Sequence, residues 1–163
     1  MLAKTYLSSR FGCWEIQGSE LGISSVQLVQ KSPCPEGPVP EVLQECVAQL
    51  QEYFYGKRQA FTVKLDFGGA PDFNVSVWKE LLKVPYGHTT TYSGIAEKLG
   101  DPNLVRAVGQ ANAHNPIAII IPCHRCIAKS GDLQGYFYGL DMKRALLELE
   151  NPMSFARQGE LFS

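Results

Sequence analysis

The 163-residue sequence has no apolar run long enough to cross a bilayer, and its N-terminus has no basic segment followed by an apolar one. A spanning helix needs about 20 such residues, so a soluble cytoplasmic protein is expected rather than a secreted or membrane-bound one. Neither sign of charge is in excess. The 15 Lys and Arg stand against 16 Asp and Glu, a net charge of −1, which gives no global sign of a nucleic-acid partner. Any basic face must be built locally, from 98–129, where Lys98, Arg106, Arg125 and Lys129 oppose Asp101 alone. Paired cysteines are lacking as well. Five cysteines in irregular spacing argue against a disulfide framework and for a reducing compartment. Cys13, Cys34 and Cys46 have no C-x-x-C spacing and are expected as core or incidental thiols rather than metal ligands. What is present is a hydrophobic share of 45%, enough to bury one large core or two small ones without staples.

Along the chain, 4–7, 12–17 and 23–30 read as strands, with Gly18 and Gly22 bounding a turn. Three prolines and a glycine make 32–38 a loop. Val42, Leu43, Cys46, Val47, Leu50, Tyr53 and Phe54 then recur at helical steps up to Gly56. Gly68, Gly69 and Pro71 break both periodicities, so the expected organisation is an α/β domain over 1–70, a small sheet plus a helix, followed by a mainly α domain over 71–163. In the second domain Phe73, Val77, Trp78, Leu81 and Leu82 share one helical face. Tyr92, Ile95, Ala96 and Leu99 make a short helix stopped by Gly100. Asp101-Pro102 opens another helix to about Asn112, with Val105, Val108 and Ala111 as its inner stripe. That pair fits a helix-turn-helix, whose second helix contacts DNA, and also fits a purely structural helix pair. Beyond 129 comes a loop rich in glycine and aromatics, in which Tyr136, Phe137 and Tyr138 offer flat walls for a base or simply pack on the surface. A last helix ends at Glu150, where the helix dipole disfavours a carboxylate, so solvation or recruitment by a cation or histidine is expected.

The chemistry is expected at 119–126, Ile-Ile-Ile-Pro-Cys-His-Arg-Cys. Three β-branched residues read as a strand buried on both faces, and Pro122 ends it, leaving Cys123 at a strand end. There His124 can accept the thiol proton and Arg125 can favour the thiolate, which is the nucleophile. The Cys123-x-x-Cys126 spacing has three readings. A redox dithiol normally opens a helix, which 128–132 cannot form. Zinc needs two more ligands, for which only His114 or His124 stand nearby. A single nucleophile needs only Cys123, His124 and a carboxylate such as Glu150.

These residues carry a resemblance. Ile121-Pro122-Cys123-His124-Arg125, preceded by Arg106-Ala107-Val108-Gly109 and Asn115-Pro116, and followed by Gly135-Tyr136, Gly139-Leu140, Lys143, Leu146-Leu147 and Glu150, is similar to the O6-alkylguanine-DNA alkyltransferase family. Tyr53-Phe54-x-Gly56, Phe73, Val77-Trp78 and Pro85-Tyr86-Gly87 extend the similarity over nearly the whole chain. The resemblance implies single-turnover, irreversible transfer of an alkyl group from O6 of guanine to Cys123, acting on double-stranded DNA that carries the lesion, as a monomer without cofactor or metal. It implies a Glu150–His124–water–Cys123 relay with a depressed thiol pKa, and Tyr92 and Lys143 steadying the leaving base. The N–H of Phe137 would serve O6, and the carbonyls of Cys123 and Cys126 would select guanine. Tyr136 and Tyr138 would line the pocket. Arg106 would fill the stack of the flipped base, with Asn112, Ala113 and Arg125 also at the DNA, and Asn115 would brace the recognition helix.

The chain departs from the usual pattern in places. The family usually has valine where Cys126 stands, and many members have a smaller residue at 138. A related non-enzymatic class replaces the acceptor cysteine, which is retained here, and this favours repair over lesion binding alone. Beyond the last family motif, Gln158, Leu161 and Phe162 resemble the Q-x-x-L-F peptide by which bacterial repair proteins dock on the sliding clamp. The alternative is that Phe155, Leu161 and Phe162 pack on the chain's own surface.

Overall fold

The structure, a computed structural model, describes residues 1–131, 133 and 135–153. The motif at Gln158, Leu161 and Phe162, with Phe155, lies outside the described residues. Two compact units are formed, one from 1–70 with 116–120 and the other from 71–115 with 121–163.

In the first unit, β1 (Ala3–Ser9), β2 (Gly12–Ser19) and β3 (Gly22–Val29) make an antiparallel sheet in that order. The register sets Leu7 opposite Trp14 and Ile16 opposite Val26, which collects the large apolar side chains on one face. Against β1 and β2 packs α1 (Glu41–Phe54), burying Leu43, Cys46, Leu50 and Tyr53, and Phe54 stacks on Trp14 at 5.7 Å. Each such side chain contributes roughly 1.5–3 kcal/mol by leaving water. Gly56, at φ 73, stops the chain just past the helix. Cys46 is inert here, because burial pushes its thiol up to about 12. Cys13 and Cys34 are not the separate thiols expected. They are joined by a disulfide, with Cα atoms 5.5 Å apart. Such a pairing depends on tertiary placement of the proline loop beside β2, which a separation of 21 residues does not reveal.

The triple isoleucine corrects another expectation. Ile119, Ile120 and Ile121 are buried but form no strand. The pairing with β3 stops at Ile117 and Ala118, and the chain turns at Ile119, whose φ is 73. That conformation costs a β-branched residue roughly 1–2 kcal/mol. The turn's polar groups are met locally, since Ile120 N–H donates to the Ala118 carbonyl at 2.8 Å.

The second unit is mainly helical. It contains α2 (Asp72–Leu81), α3 (Tyr92–Lys98), α4 (Val105–Ala113) and α5 (Leu140–Glu150), plus a short parallel ladder of β4 (Thr90–Thr91) with β5 (Cys126–Ile127). Helices α2 and α3 both pack on α4, and the indole N–H of Trp78 donates to the Ala111 carbonyl at 2.9 Å. Thr91 caps α3 by accepting from Gly94 N–H at 2.9 Å. Gly100 turns the chain at φ 93 into a 3-10 turn, Pro102–Leu104, capped by Asp101, and α4 follows as the second helix of the helix-turn-helix. Two stripe assignments differ from expectation. Leu82 is exposed because α2 ends at Leu81, and Val105 is exposed because it opens α4, while Asn112 takes an inner position with Val108 and Ala111. Among the described residues no helix is long and apolar enough to cross a membrane.

Candidate active site

Cys123 sits on a 3-10 turn, Cys123–Arg125, rather than at a strand end. Pro122 precedes the turn, and β5 anchors its far side to β4, with Cys126 opposite Thr90. The turn presents Cys123 to a cavity of about 540 Å³. Val105, Gly109 and Asn112 of α4 form one wall, Tyr92 another, and Tyr136, Phe137 and Tyr138 a third. Phe137 is 75% exposed, and its ring meets Tyr138 edge-on at 5.1 Å, while Tyr138 meets Tyr136 at 5.7 Å. Gly135 and Gly139, with φ of 52 and 96, bound this aromatic loop.

The thiol is not depressed, contrary to the expectation. Burial raises the Cys123 pKa, and a hydrogen bond from Asn115, the charge of Lys143 and the neighbouring Tyr136 oppose that only partly. A protonated resting thiol makes a proton acceptor necessary. His124 is suited to that task. It is fully buried, and burial, with Arg125 and Lys143, lowers its pKa below 6.5 against the pull of Glu150, so the ring is neutral near pH 7. Its Nε2 meets Glu150 Oε2 at 2.6 Å, and its buried Nδ1 has no partner among the described residues.

Glu150 is buried, not solvated. Burial pushes its carboxyl up, but hydrogen bonds and charge from His124 and Arg125 outweigh this and hold it at about 2. Arg125 donates from Nε to Oε1 at 2.7 Å and from Nη2 to Oε2 at 3.0 Å, and from Nη1 to the Val84 carbonyl at 2.7 Å. Expected at the DNA and beside the thiol, Arg125 is instead 6% exposed and committed to Glu150. Asn112, also expected at the DNA, is buried and donates to the Cys123 carbonyl at 3.4 Å, while its Oδ1 has no partner among the described residues.

Lys143 is buried, and its Nζ donates to the carbonyls of Cys126 at 2.5 Å and Gly135 at 3.2 Å, 5.8 Å from the Tyr92 ring centroid. Burial lowers its pKa, while the two thiols raise it. Of the two carbonyls expected to read guanine, that of Cys126 already accepts from Lys143, and that of Cys123 accepts from Asn112 and from the Cys126 N–H. Tyr92 stays a phenol donor, because burial and then Cys126 and Cys123 push it up to about 12. Asn115 donates to the Ile121 carbonyl at 2.8 Å, tying the end of α4 to the approach to Cys123. Arg106 and Ala113 are exposed on α4, one in its first turn and the other at its last residue. Val105 and Gly109 also line the cavity, a place not expected of either from the sequence. Val105 is expected only in an apolar stripe, and Gly109 only as the end of the Arg106-Ala107-Val108-Gly109 segment; a Cβ at Gly109 would meet nothing within 4 Å.

Comparison with known proteins is specific. Residues 2–67 match the 6-O-methylguanine DNA methyltransferase ribonuclease-like domain, and 72–152 match the DNA-binding domain of the same description. A methylated-DNA–protein-cysteine methyltransferase of Mycobacterium leprae is 44% identical over 88% of this chain and 89% of its own. The crystal structure of the Mycobacterium tuberculosis O6-methylguanine methyltransferase is similar at 42% identity and a TM-score of 0.82, over 93% of this chain and 94% of that one. A structure of Mycobacterium tuberculosis OGT in complex with DNA is similar at 42% identity and a TM-score of 0.81, over 90% of this chain and 91% of that one.

Proposed function

Since the chain belongs to the 6-O-methylguanine DNA methyltransferase family, we propose that its second unit performs the transfer at Cys123, as a monomer acting once on duplex DNA. The protein is a DNA-repair alkyltransferase, a methylated-DNA–protein-cysteine methyltransferase that binds the lesion in DNA. The observation that carries the assignment of Cys123 is its protonated thiol in a cavity large enough to admit a purine, on the same turn as a neutral histidine held by an ionised glutamate. The thiol proton passes through a water to His124 Nδ1, and sulfur attacks the alkyl carbon. The S–C bond forms as C–O6 breaks, and the guanine leaves with the electron pair. Tyr92 donates to the ring as that charge develops, the N–H of Phe137 serves O6, and Lys143 adds positive charge nearby. The thioether has no route back, so each molecule reacts once. Intact mass spectrometry with a methylated oligonucleotide tests this: one methyl increment on the peptide containing Cys123 is expected, and none, or one elsewhere, overturns it. Native mass spectrometry should show one protein per lesion duplex.

A base inside the helix cannot reach Cys123, so the lesion must be flipped, and the exposed Arg106 in the first turn of α4 is suited to take its place. Arg106→Ala should slow repair in duplex DNA by about tenfold or more, the equivalent of part of an unstacking energy, and leave reaction with free O6-alkylguanine nearly as fast. Equal losses on both substrates would remove Arg106 from that role.

Tyr138 lines the cavity and is braced by Tyr136 and Phe137, so it cannot yield easily to a bulky adduct. Tyr138→Gly is expected to raise the rate on benzylated relative to methylated guanine. An unchanged ratio in competition assays means the residue does not gate adduct size.

A further inference from the structure

We propose that Arg125 is a positioning residue for alkyl transfer, acting through Glu150 to fix the His124 tautomer that takes the thiol proton. The proposal deepens the reading of Cys123 as acceptor and rests on it. Three facts of geometry support it. First, the guanidinium grips both oxygens of Glu150, at 2.7 and 3.0 Å, a planar two-point contact that a lysine cannot make. Second, Glu150 Oε2 is shared, since it meets both Arg125 Nη2 and His124 Nε2, the latter at 2.6 Å. A carboxylate held ionised by His124 and Arg125 together can only accept, so Nε2 carries the proton and Nδ1 keeps its lone pair. Third, Arg125 is itself fixed. Its Nη1 donates to the Val84 carbonyl at 2.7 Å, its guanidinium lies 5.9 Å from the Tyr86 ring centroid, and the Tyr86 hydroxyl donates to the Leu149 carbonyl at 3.3 Å, next to Glu150.

The charges around His124 give the arrangement a second consequence. Glu150 and Lys143 come from α5 and Arg125 from the same turn, while α2, which also packs on the turn, buries only Val77, Trp78 and Leu81. Glu150 alone would favour the imidazolium, which cannot accept a proton. Burial is the first cause that keeps the ring neutral, and Arg125, with Lys143, adds to it by offsetting that negative charge. Without Arg125 the histidine would charge more readily, and the acid side of the pH profile would move upward.

The test compares wild type, Arg125→Met and Arg125→Lys in single-turnover alkyl uptake between pH 5.5 and 9, read by intact mass, with duplex affinity and Tm measured alongside. For Arg125→Met a loss of about tenfold or more near pH 6.5 is expected, shrinking toward pH 9, with the acid limb moved upward and duplex affinity retained. Arg125→Lys, which restores charge without the two-point grip, should return the limb toward its wild-type position and recover only part of the rate. A folded Arg125→Met variant with the wild-type profile, or with the same loss at every pH, overturns the proposal. Should that variant fail to fold, 15N spectra of histidine-labelled wild-type protein decide. His124 protonated on Nε2 at pH 7 supports the proposal, and an Nδ1-protonated ring or an imidazolium overturns it. A wild-type protein that takes up no alkyl group at any pH would instead refute the functional reading beneath it.

Discussion

Cys123→Ala is expected to take up no alkyl group from methylated DNA while still binding the lesion duplex, a loss too large for any residual nucleophile to hide. The neighbouring thiol cannot substitute. Cys126 is fully buried, burial pushes its pKa up to about 12, and it does not line the cavity that Cys123 lines. Thiolate supply at pH 7 falls tenfold for each pKa unit above the ambient pH, so Cys126 is short of nucleophile by orders of magnitude before geometry is considered. Binding should persist because Arg106 and Ala113 are exposed on α4, and the substitution at 123 leaves that helix unchanged. Intact mass after exposure to a methylated oligonucleotide, with anisotropy for affinity, reads both properties. Cys126→Ala should still gain a single alkyl increment, because the substrate contact assigned to residue 126 is its carbonyl. Uptake by the Cys123 variant would end the mechanism.

The parts of the fold that obey one periodicity were legible in the sequence. Leu43, Leu50 and Tyr53 repeat at helical steps because one face of α1 packs on the sheet, and the strands of the first unit alternate because only one face of the sheet is covered. The cap at Asp101-Pro102 was equally local. Where tertiary demand overrode propensity, the sequence misled. Three isoleucines favour a strand, yet the chain turns at Ile119 with φ 73, a conformation β-branched residues avoid. Burial was read correctly there and geometry was not. In the site, the motif points to Cys123, His124 and Glu150, but the place of Arg125 depends on a residue 25 positions away, which turns it from the DNA toward Glu150. A charged residue beside a nucleophile looks like an activator until its partner is known. The rise of the Cys123 pKa was missed for the same reason: burial is a property of the assembled site.

Glu150→Gln is expected to weaken both folding and transfer, and pH separates the causes. Removing the carboxylate charge leaves Arg125 buried beside a neutral partner, and breaking a buried ion pair in this way typically costs about 3–5 kcal/mol. Transfer should fall as well, by roughly 10²-fold or more near pH 7, because an amide can present its N–H to His124 Nε2 and turn the ring's acceptor nitrogen away from the thiol. In the wild type, Glu150 falls from an ordinary value near 4.5 to about 2 in the folded state. Between those values the unfolded chain binds more protons than the folded one, so this contribution is intact above about pH 4.5 and is lost as pH drops toward 2. His124, with its folded pKa lowered below 6.5, acts in the same direction but at higher pH, since the unfolded ring gains its proton first. The gap in Tm between wild type and Glu150→Gln should therefore be wide from pH 7 to about 5, then close steadily toward pH 3. A gap that stays constant down to pH 3 would mean that the ionised carboxylate is not what holds the turn, the imidazole and Arg125 together.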